Sequence, residues 1–271
     1  MPEGDTLAKT AARLRPALAG HVLTRFEAPR LRGPAPPLGT PVTGVDARGK
    51  HLLIHFADGL TLRTHLRMTG SWHVYREHER WQRPAYLARA VVGTDSGWVA
   101  VCFSAPVVET YRRGGAEPAA LADLGPDLCL AASLEPGVLD DVVARARRFA
   151  DPSATLGEAL LDQRIAAGIG NVYKSEACFA CRLDPTAPLA AFDDAARRRV
   201  WAVAARQLQA NLIGAGRRTH PAGVAVYGRR GLPCHACGTP IDMARHGDLN
   251  RSTYWCPTCQ PPPTSSLGSP A

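Results

Sequence analysis

The chain has 271 residues, which is enough for one large domain or two smaller ones that each bury a core. Its 32 lysines and arginines against 24 acidic residues give a formal charge of +8, which favours an anionic partner such as nucleic acid or a membrane surface. A basic enzyme without a polyanionic partner fits this charge equally well. Acidic Glu3 and Asp5 exclude a signal peptide at the start, and no apolar run reaches the length of a membrane span. We therefore expect a cytoplasmic protein with no membrane partner.

The first half of the chain has the pattern of a helix followed by short strands. Residues 5–18 show the apolar spacing of an amphipathic helix, in which Pro16 is expected to disturb the last turn. Seven β-rich runs follow: Val22–Phe26, Val42–Val45, His51–Phe56, Leu60–His65, Trp72–Tyr75, Leu87–Val92 and Trp98–Phe103. Turn signals such as Asp58-Gly59 separate several of them. Many short strands at this spacing predict a β-sandwich or barrel.

The second half has helical spacing and then a cysteine-bearing module. The predicted helices are Leu139–Phe149, Leu156–Ile165, Val172–Phe179 and Asp193–Ile213. We expect an α+β multidomain chain with four parts: an N-terminal domain over residues 1–130, a helical domain over 131–221, a cysteine module over 222–260 and a disordered tail over 261–271.

Four of the eight cysteines form two C-x-x-C pairs, which are Cys234, Cys237, Cys256 and Cys259. The gap between the pairs is typical of a four-cysteine zinc site, and four thiolates satisfy tetrahedral zinc without an open position. A redox pair or chance spacing is the alternative. We expect one structural zinc ion and no organic cofactor. Cys178 and Cys181 form a third C-x-x-C on a predicted helix with no matching pair, and predict a buried and a partly exposed thiol rather than a metal site.

A glycine-broken turn joins two of the predicted helices. Gly168 and Gly170 permit close approach of the backbone to a ligand, and Asn171 is a candidate N-cap of the following helix. A helix N-terminus with Lys174 in its first turn suits a phosphate. An ordinary helical corner with packing glycines fits the same residues equally well.

The N-terminus is unusual because Pro2 becomes a terminal secondary amine once Met1 is removed. Attack of such an amine on a sugar C1′ gives an iminium ion, which acidifies the neighbouring C–H bond and prepares elimination of a phosphate. Glu3 beside it could assist proton transfer, and Lys50 at a strand entrance could carry a proton or contact a phosphate. Taken alone, the same residues fit an ordinary terminus and a surface lysine.

Six short segments occur in a specific order from residue 2 to about residue 260: Pro2–Gly4, Arg48–Leu53, His65–Ser71, Leu124–Asp127, Leu161–Tyr173 and Arg251–Cys256. In content and order they resemble the formamidopyrimidine-DNA glycosylase and endonuclease VIII family. The resemblance implies an N-terminal β-sandwich with an N-terminal helix, a helix–two-turns–helix domain and a C-terminal zinc ribbon. It also implies a monomer that binds damaged DNA and acts as a bifunctional glycosylase and abasic-site lyase in base excision repair.

The resemblance also assigns roles to individual residues. It implies that Pro2 is the Schiff-base nucleophile and Glu3 the proton donor. Lys50 resembles the lysine that assists β-elimination, and Arg251 the zinc-ribbon arginine that binds phosphate and assists δ-elimination. Asn171 resembles the asparagine that binds a phosphate beside the lesion.

Further positions are expected to contact DNA. Arg67, Met68 and Thr69 lie where the family inserts side chains into the gap left by a flipped nucleotide, and apolar, flexible Met68 is the best wedge. Lys174 is expected to add charge at the phosphate-binding turn.

Departures of two kinds from the family pattern bear on the substrate: those at Thr6 and Asp123 leave the damage specificity open, whereas a missing segment and a short segment, together with Pro2–Asp5, favour the endonuclease VIII branch and oxidised pyrimidines. Thr6 stands where the family often has an acidic residue, and Asp123 stands where a DNA-contacting arginine occurs in enterobacterial endonuclease VIII. The D-P-R-R-F-G segment of the formamidopyrimidine branch is absent, and the segment over residues 216–228 leaves little room for a loop that covers an oxidised purine. The alternative is a non-catalytic zinc-ribbon DNA-binding protein of the same fold.

Overall fold

The computed structural model describes residues 2–214, 216–246 and 250–263. The backbone divides into two compact units, Met1–Asp123 and Leu124–Ala271. Within the described residues, no helix has both the length and the apolar character that a membrane span requires. Each unit has its own hydrophobic core, and each is described separately below.

The first unit begins with helix α1, Gly4–Leu18. Leu7, Leu14 and Leu18 on its apolar face are fully buried in the core, which explains why the helix forms here. The expectation that Pro16 disturbs the last turn is wrong, since the helix continues to Leu18. Burial of Leu18 and two hydrogen bonds from the Arg15 guanidinium to the carbonyl of Val45 hold this turn in place.

Eight antiparallel strands form two four-stranded sheets, and the expected β-sandwich is confirmed. The strands are β1 Leu23–Glu27, β2 Val42–Arg48, β3 His51–Phe56, β4 Leu60–His65, β5 Ser71–Arg76, β6 Ala88–Thr94, β7 Trp98–Phe103 and β8 Val107–Arg112. One sheet has the order β1-β6-β7-β5 and the other β2-β3-β4-β8. The core draws on strands of both sheets and on α1. The sequence pattern does not predict strand β8, because the charged Glu109 interrupts its apolar residues and finds its partner, Arg63, only across the sheet.

The second unit contains four helices among its described residues, and a short helix, α2 Ala119–Ala122, leads into it. The four are α3 Pro136–Phe149, α4 Leu156–Leu161, α5 Asn171–Cys181 and α6 Asp194–Ala210. Tyr173 and Trp201 are fully buried in the helical core. Helix α4 ends four residues before the predicted helix, because the Asp162 carboxylate accepts a hydrogen bond from the backbone N–H of Arg164 at 2.9 Å and forms a turn instead.

The C-terminal module is a two-stranded hairpin, β9 Asp242–His246 and β10 Arg251–Trp255, paired antiparallel. Its small apolar cluster is built around Val226, Ile241 and two of the cysteines. The tip at residues 247–249 and the part of the expected disordered tail from residue 264 onward lie outside the described residues.

Gly125 provides a test of how closely the second unit is packed. A Cβ added at this position would lie 2.3 Å from the carbonyl oxygen of Ile165, whereas a Cβ at Gly137 meets nothing within 4 Å. We expect Gly125→Ala to lower the free energy of unfolding by about 3 kcal/mol, because backbone must move to relieve the clash. The control Gly137→Ala should change it by less than about 1 kcal/mol. Equal effects of the two variants in urea unfolding would contradict the packing described here.

Candidate functional site

The start of α1 is fixed by reciprocal capping. Glu3 is the N-cap and is fully buried, and its backbone N–H donates to Oγ1 of Thr6 at 3.4 Å. The Thr6 hydroxyl in turn donates to Oδ1 of Asp5 at 3.3 Å. Thr6 is the third helical residue, where an acidic side chain can fill the same capping role. The departure at Thr6 therefore leaves the helix start capped, and the chain end at Pro2 projects from an ordered turn.

Lys50 lies in the two-residue turn between β2 and β3. Helix α1 packs on both strands, and its C-terminal end lies beside the start of β2, where Gly20 donates to the carbonyl of Val42 at 2.8 Å. A helix of 15 residues spans about 22 Å and a strand of seven about 23 Å, so the two elements match in length. This geometry places the turn with Lys50 toward the end of the helix that carries Glu3 and Pro2.

A buried polar network adjoins Lys50. The next residue, His51, is buried, and its Nδ1 accepts a hydrogen bond from Nε of Arg63 at 3.1 Å. Arg63 is buried as well and forms an ion pair with Glu109, its register partner on β8. Burial and then the charge of Arg63 lower the pKa of His51 to about 2, so this imidazole is neutral at physiological pH.

The same network reaches the loop between β4 and β5. The rings of His51 and His65 pack with centroids 4.7 Å apart, and Nδ1 of His65 accepts from the backbone N–H of Arg67 at 3.2 Å. Arg67 adopts the left-handed conformation at φ 46°, and Met68 beyond it is 63% exposed. The structure thus presents the expected wedge residue at the tip of an ordered turn.

The neutral state of His51 makes a prediction about pH. The unfolded chain binds a proton at this histidine below about pH 6.5, whereas the folded chain does not until about pH 2. Unfolding therefore takes up a proton in this window, and stability falls as the pH falls below 6.5, by about 1.4 kcal/mol per pH unit. We expect His51→Gln to lose this slope in denaturant titrations between pH 6 and pH 4.

The exposed His78→Gln is the matched control, and its stability should follow the wild-type pH curve. A wild-type curve that runs parallel to that of His51→Gln would contradict the neutral assignment.

In the second unit, the turn before α5 is organised by one side chain. The amide of Gln163 donates from Nε2 to the carbonyls of Leu161 and Ile169, and its Oε1 accepts from the backbone N–H of Gly168 at 3.0 Å. The turn leads into α5, an eleven-residue helix, and the first backbone N–H groups of this helix lie next to the turn.

Asn171 is the first residue of α5, not its N-cap. The N-cap is Gly170, so the expected capping role of Asn171 is wrong. Its side chain is instead directed into the structure: Oδ1 is buried and has no hydrogen-bond partner among the described residues. An amide oxygen accepts hydrogen bonds, so this atom would take a donor group and not a phosphate oxygen.

Lys174 does not occupy the position expected of a DNA contact. Its side chain is buried, and Nζ donates to the carbonyl of Ser252 at 3.0 Å and to Oγ1 of Thr253 at 2.7 Å. The expectation that it contacts DNA is corrected, because its ammonium group is turned inward to strand β10. Lys174 joins α5 to the hairpin and places Arg251, the residue before Ser252, near the helix that carries Asn171.

Glu176 completes this attachment, although nothing in the sequence around it indicates such a role. Its buried carboxylate accepts from the backbone N–H groups of Ala225, Val226 and Tyr227 at 2.7–2.9 Å, and from the hydroxyl of Thr219. A buried carboxylate with four donors is fully satisfied. It fixes the segment that leads into the hairpin module.

The four cysteines of the C-x-x-C pairs come together as expected. Their sulfur atoms all lie within 4.8 Å of one another, with 3.9 Å between Cys234 and Cys259 and 3.4 Å between Cys237 and Cys256. Zinc–sulfur bonds of about 2.3 Å require sulfur–sulfur separations of about 3.8 Å, so the cluster fits a tetrahedral ion. Backbone N–H groups within each pair also point at sulfur, as at Cys234 and Cys256. These four residues would hold one structural zinc ion.

Cys178 and Cys181 lie apart from this cluster. Cys178 is buried and Cys181 half-buried, as the sequence predicts, and burial raises the pKa of both thiols. They are therefore protonated at neutral pH and poor metal ligands.

Zinc content should distinguish the two sets of cysteines. We expect the wild-type protein to carry one zinc ion per chain, measured by mass spectrometry of the metal. Cys256→Ser should lose it and become sensitive to protease between residues 228 and 263, because metal binding supplies much of the folding energy of this module. Cys181→Ser should retain both the zinc ion and protease resistance. Loss of zinc from Cys181→Ser alone would contradict the site.

Some residues of the site have no signal in the sequence. Arg63 and Glu109 lie 46 positions apart, and their pairing depends on the unpredicted strand β8. Glu176 lies on a predicted helix, but its three backbone donors are some 50 positions away. A charged residue on an otherwise buried strand, as at Arg63, is the one local indication that the sequence offers.

A sandwich with an N-terminal helix, a helical domain and a four-cysteine hairpin define a class of DNA glycosylases with lyase activity. Three family models match in chain order: the formamidopyrimidine-DNA glycosylase N-terminal domain over residues 1–103, the H2TH domain of the same enzyme over 135–220, and a zinc finger found in FPG and IleRS over 231–262.

Relatives with curated names are similar in sequence to this protein over nearly its whole length. A probable endonuclease 8 2 of Streptomyces coelicolor is 43% identical, covering 99% of this chain and 97% of its own. The DNA-(apurinic or apyrimidinic site) lyase Nei2 of Mycolicibacterium smegmatis is 40% identical, over 96% and 99% of the two chains. The solved structure of the MutM (Fpg) protein from Thermus thermophilus has a TM-score of 0.78 at 31% identity, over 96% and 99%. The chain belongs to the formamidopyrimidine-DNA glycosylase and endonuclease VIII family.

Proposed function

We propose that this protein excises oxidised pyrimidines from DNA and cleaves the strand at the resulting abasic site, with the amine of Pro2 as nucleophile. The observation that carries the proposal is the capped start of α1, where Glu3 is buried beside Pro2 and the helix packs on the strands that flank Lys50. An ordinary exposed chain end would need neither the capping box between Glu3 and Thr6 nor the burial of Glu3.

The proposed reaction begins with the damaged nucleotide flipped out of the duplex. The neutral nitrogen of Pro2, exposed by removal of Met1, attacks C1′ of the sugar, and the bond from C1′ to the base breaks. Glu3 donates a proton to the departing base; the C1′–O4′ bond then breaks, and O4′ takes up the proton that the Pro2 nitrogen loses as the sugar ring opens. The product is an iminium ion between Pro2 and C1′, which cannot lose a proton from nitrogen to become neutral.

Strand cleavage follows from the iminium ion. Removal of a proton from C2′ sends its electron pair toward C1′ and expels the 3′-phosphate, and Lys50 is placed to assist this β-elimination. Asn171 and Arg251 bind phosphates beside the lesion, and Arg251 assists a δ-elimination that expels the 5′-phosphate. Arg67 and Met68 fill the gap that the flipped nucleotide leaves.

Preference for oxidised pyrimidines is supported by two features. Arg112 and Arg113, the nearest basic pair to the missing D-P-R-R-F-G segment, hydrogen-bond the carbonyls of Asp58 and Phe56 and are held against their own sheet. The first curated relatives carry endonuclease 8 names. We further propose that the protein acts as a monomer with its zinc ion, without an organic cofactor, on DNA in the cytoplasm.

Borohydride trapping tests the chemistry directly. We expect wild-type protein to crosslink to DNA with a preformed abasic site and to DNA with an oxidised pyrimidine, and more weakly to DNA with an oxidised purine. Glu3→Gln should lose about two to four orders of magnitude of base excision, because the leaving base lacks its proton donor. It should still trap on the preformed abasic site.

The control is the intact mass of the purified protein, which must show that Met1 has been removed. If processed wild-type protein fails to trap under conditions that trap a known lyase, the assignment is wrong. A protein that retains Met1, binds damaged DNA and does not trap would instead be the non-catalytic binder.

A further inference from the structure

The outer face of the sheet β1-β6-β7-β5 carries a second apolar cluster. In β7, Ala100 and Cys102 point into the main core, while Val101 and Phe103 point to the opposite side and join Tyr75. The segment over residues 77–87, between β5 and β6, covers this outer face with Trp81. The proposed chemistry makes no use of this segment.

A cavity of 650 Å³ lies between the segment and the sheet. Four arginines and one acidic residue are among the residues that line it. The four arginines are Arg25, Arg76, Arg80 and Arg83. The acidic residue is Glu79, and its Oε2 accepts the backbone N–H of Arg76 at 2.8 Å, where it closes a turn. Arg25 is paired with Glu27, so the positive charge along the cavity comes mainly from Arg80 and Arg83, and an anion bound beside them would balance it.

Contacts hold three of these arginines in place. The Arg76 guanidinium lies 3.7 Å from the ring centroid of Trp98, its register partner on β7, on the core-facing side of the sheet, so its charged group is turned away from the cavity. Arg83 donates from one nitrogen to Oγ of Ser71 at 3.2 Å. Arg25 lies 5.9 Å over the ring of Trp81 and pairs through Nε with Glu27, outside the cavity. Arg80 is exposed.

The aromatic floor makes the cavity rigid. Trp81 stacks against Tyr75 with centroids 6.4 Å apart and meets Phe103 edge-on at 5.8 Å. Preorganised arginines beside an indole are the combination that binds nucleic-acid backbone and stacks on exposed bases. The volume is also sufficient for a nucleotide unit, which is larger than an isolated ion.

We propose that this cavity is a second DNA-binding site, in which Arg80 and Arg83 contact the phosphodiester backbone. The inference rests on the proposed function only in naming DNA as the polyanion. No base is excised at this site, and its contribution is to the affinity for DNA of any sequence.

The salt dependence of binding to undamaged duplex DNA tests the proposal without catalysis. Each phosphate contact that is lost lowers the slope of log K against log salt by about 0.9. We expect the double variant Arg80→Ala/Arg83→Ala to lower the slope by about one to two and to weaken binding at low salt by roughly tenfold. The double variant Arg147→Ala/Arg148→Ala removes the same charge from exposed positions on α3 and should leave the slope within about half a unit of wild type.

Two further variants separate the loss of charge from a loss of folding. Arg80→Lys/Arg83→Lys should restore most of the slope, because it restores both charges, and thermal unfolding verifies that each variant is folded. If the Arg80/Arg83 double alanine variant cannot be purified folded, the single variant Arg80→Gln at an exposed position replaces it, with an expected change in slope of about one unit.

Equal slopes for the cavity and α3 variants would overturn the proposal. So would stabilisation of the protein by inorganic phosphate alone with no change in the DNA slope, which would indicate a small-anion site. If wild-type protein does not trap at all, the proposed function fails while the slope comparison still decides this inference.

Discussion

Both units bury charged side chains next to the positions where we propose that DNA is bound and cleaved, and every such charge has to be paired. A buried ion without a partner costs several kcal/mol, so the surrounding backbone is constrained to supply one. In the first unit Arg63 is paired with Glu109 and donates to His51, beside Lys50. In the second, Lys174 and Glu176 on α5 find their partners in the segments around the hairpin.

This pairing gives each proposed functional residue a rigid support. The turn with Lys50 is followed by a buried neutral histidine, and the loop with Met68 is tied to the same network through His65. Lys174 lies one helical turn after Asn171 and donates a hydrogen bond to the carbonyl of Ser252, the residue that follows Arg251. Side chains that must hold a phosphate or a proton in a defined place gain from such support, because little further ordering is needed when DNA binds.

Much of the fold follows from local patterns. The strands β3, β4 and β7 have the bounds that the sequence predicts, because hydrophobic alternation and turn residues define them. The elements that differ depend on distant partners. Strand β8 needs Arg63 to pair Glu109, and the end of α1 is stable despite Pro16 because Arg15 bonds a neighbouring strand. Neither partner can be read from the residues around these elements.

The sequence by itself determined the zinc cluster and the family, since cysteine spacing and ordered motifs are local properties of the chain. Tertiary structure decided where the side chains of Asn171 and Lys174 lie. Both lie in a predicted first helical turn, and either one suits a phosphate when considered alone. Only the packed chain shows that the ammonium of Lys174 is turned inward to β10, while the amide oxygen of Asn171 has no hydrogen-bond partner among the residues that the structure describes. The direction of a side chain depends on what packs against the helix, and the residues that bond Lys174 lie almost eighty positions further along the chain.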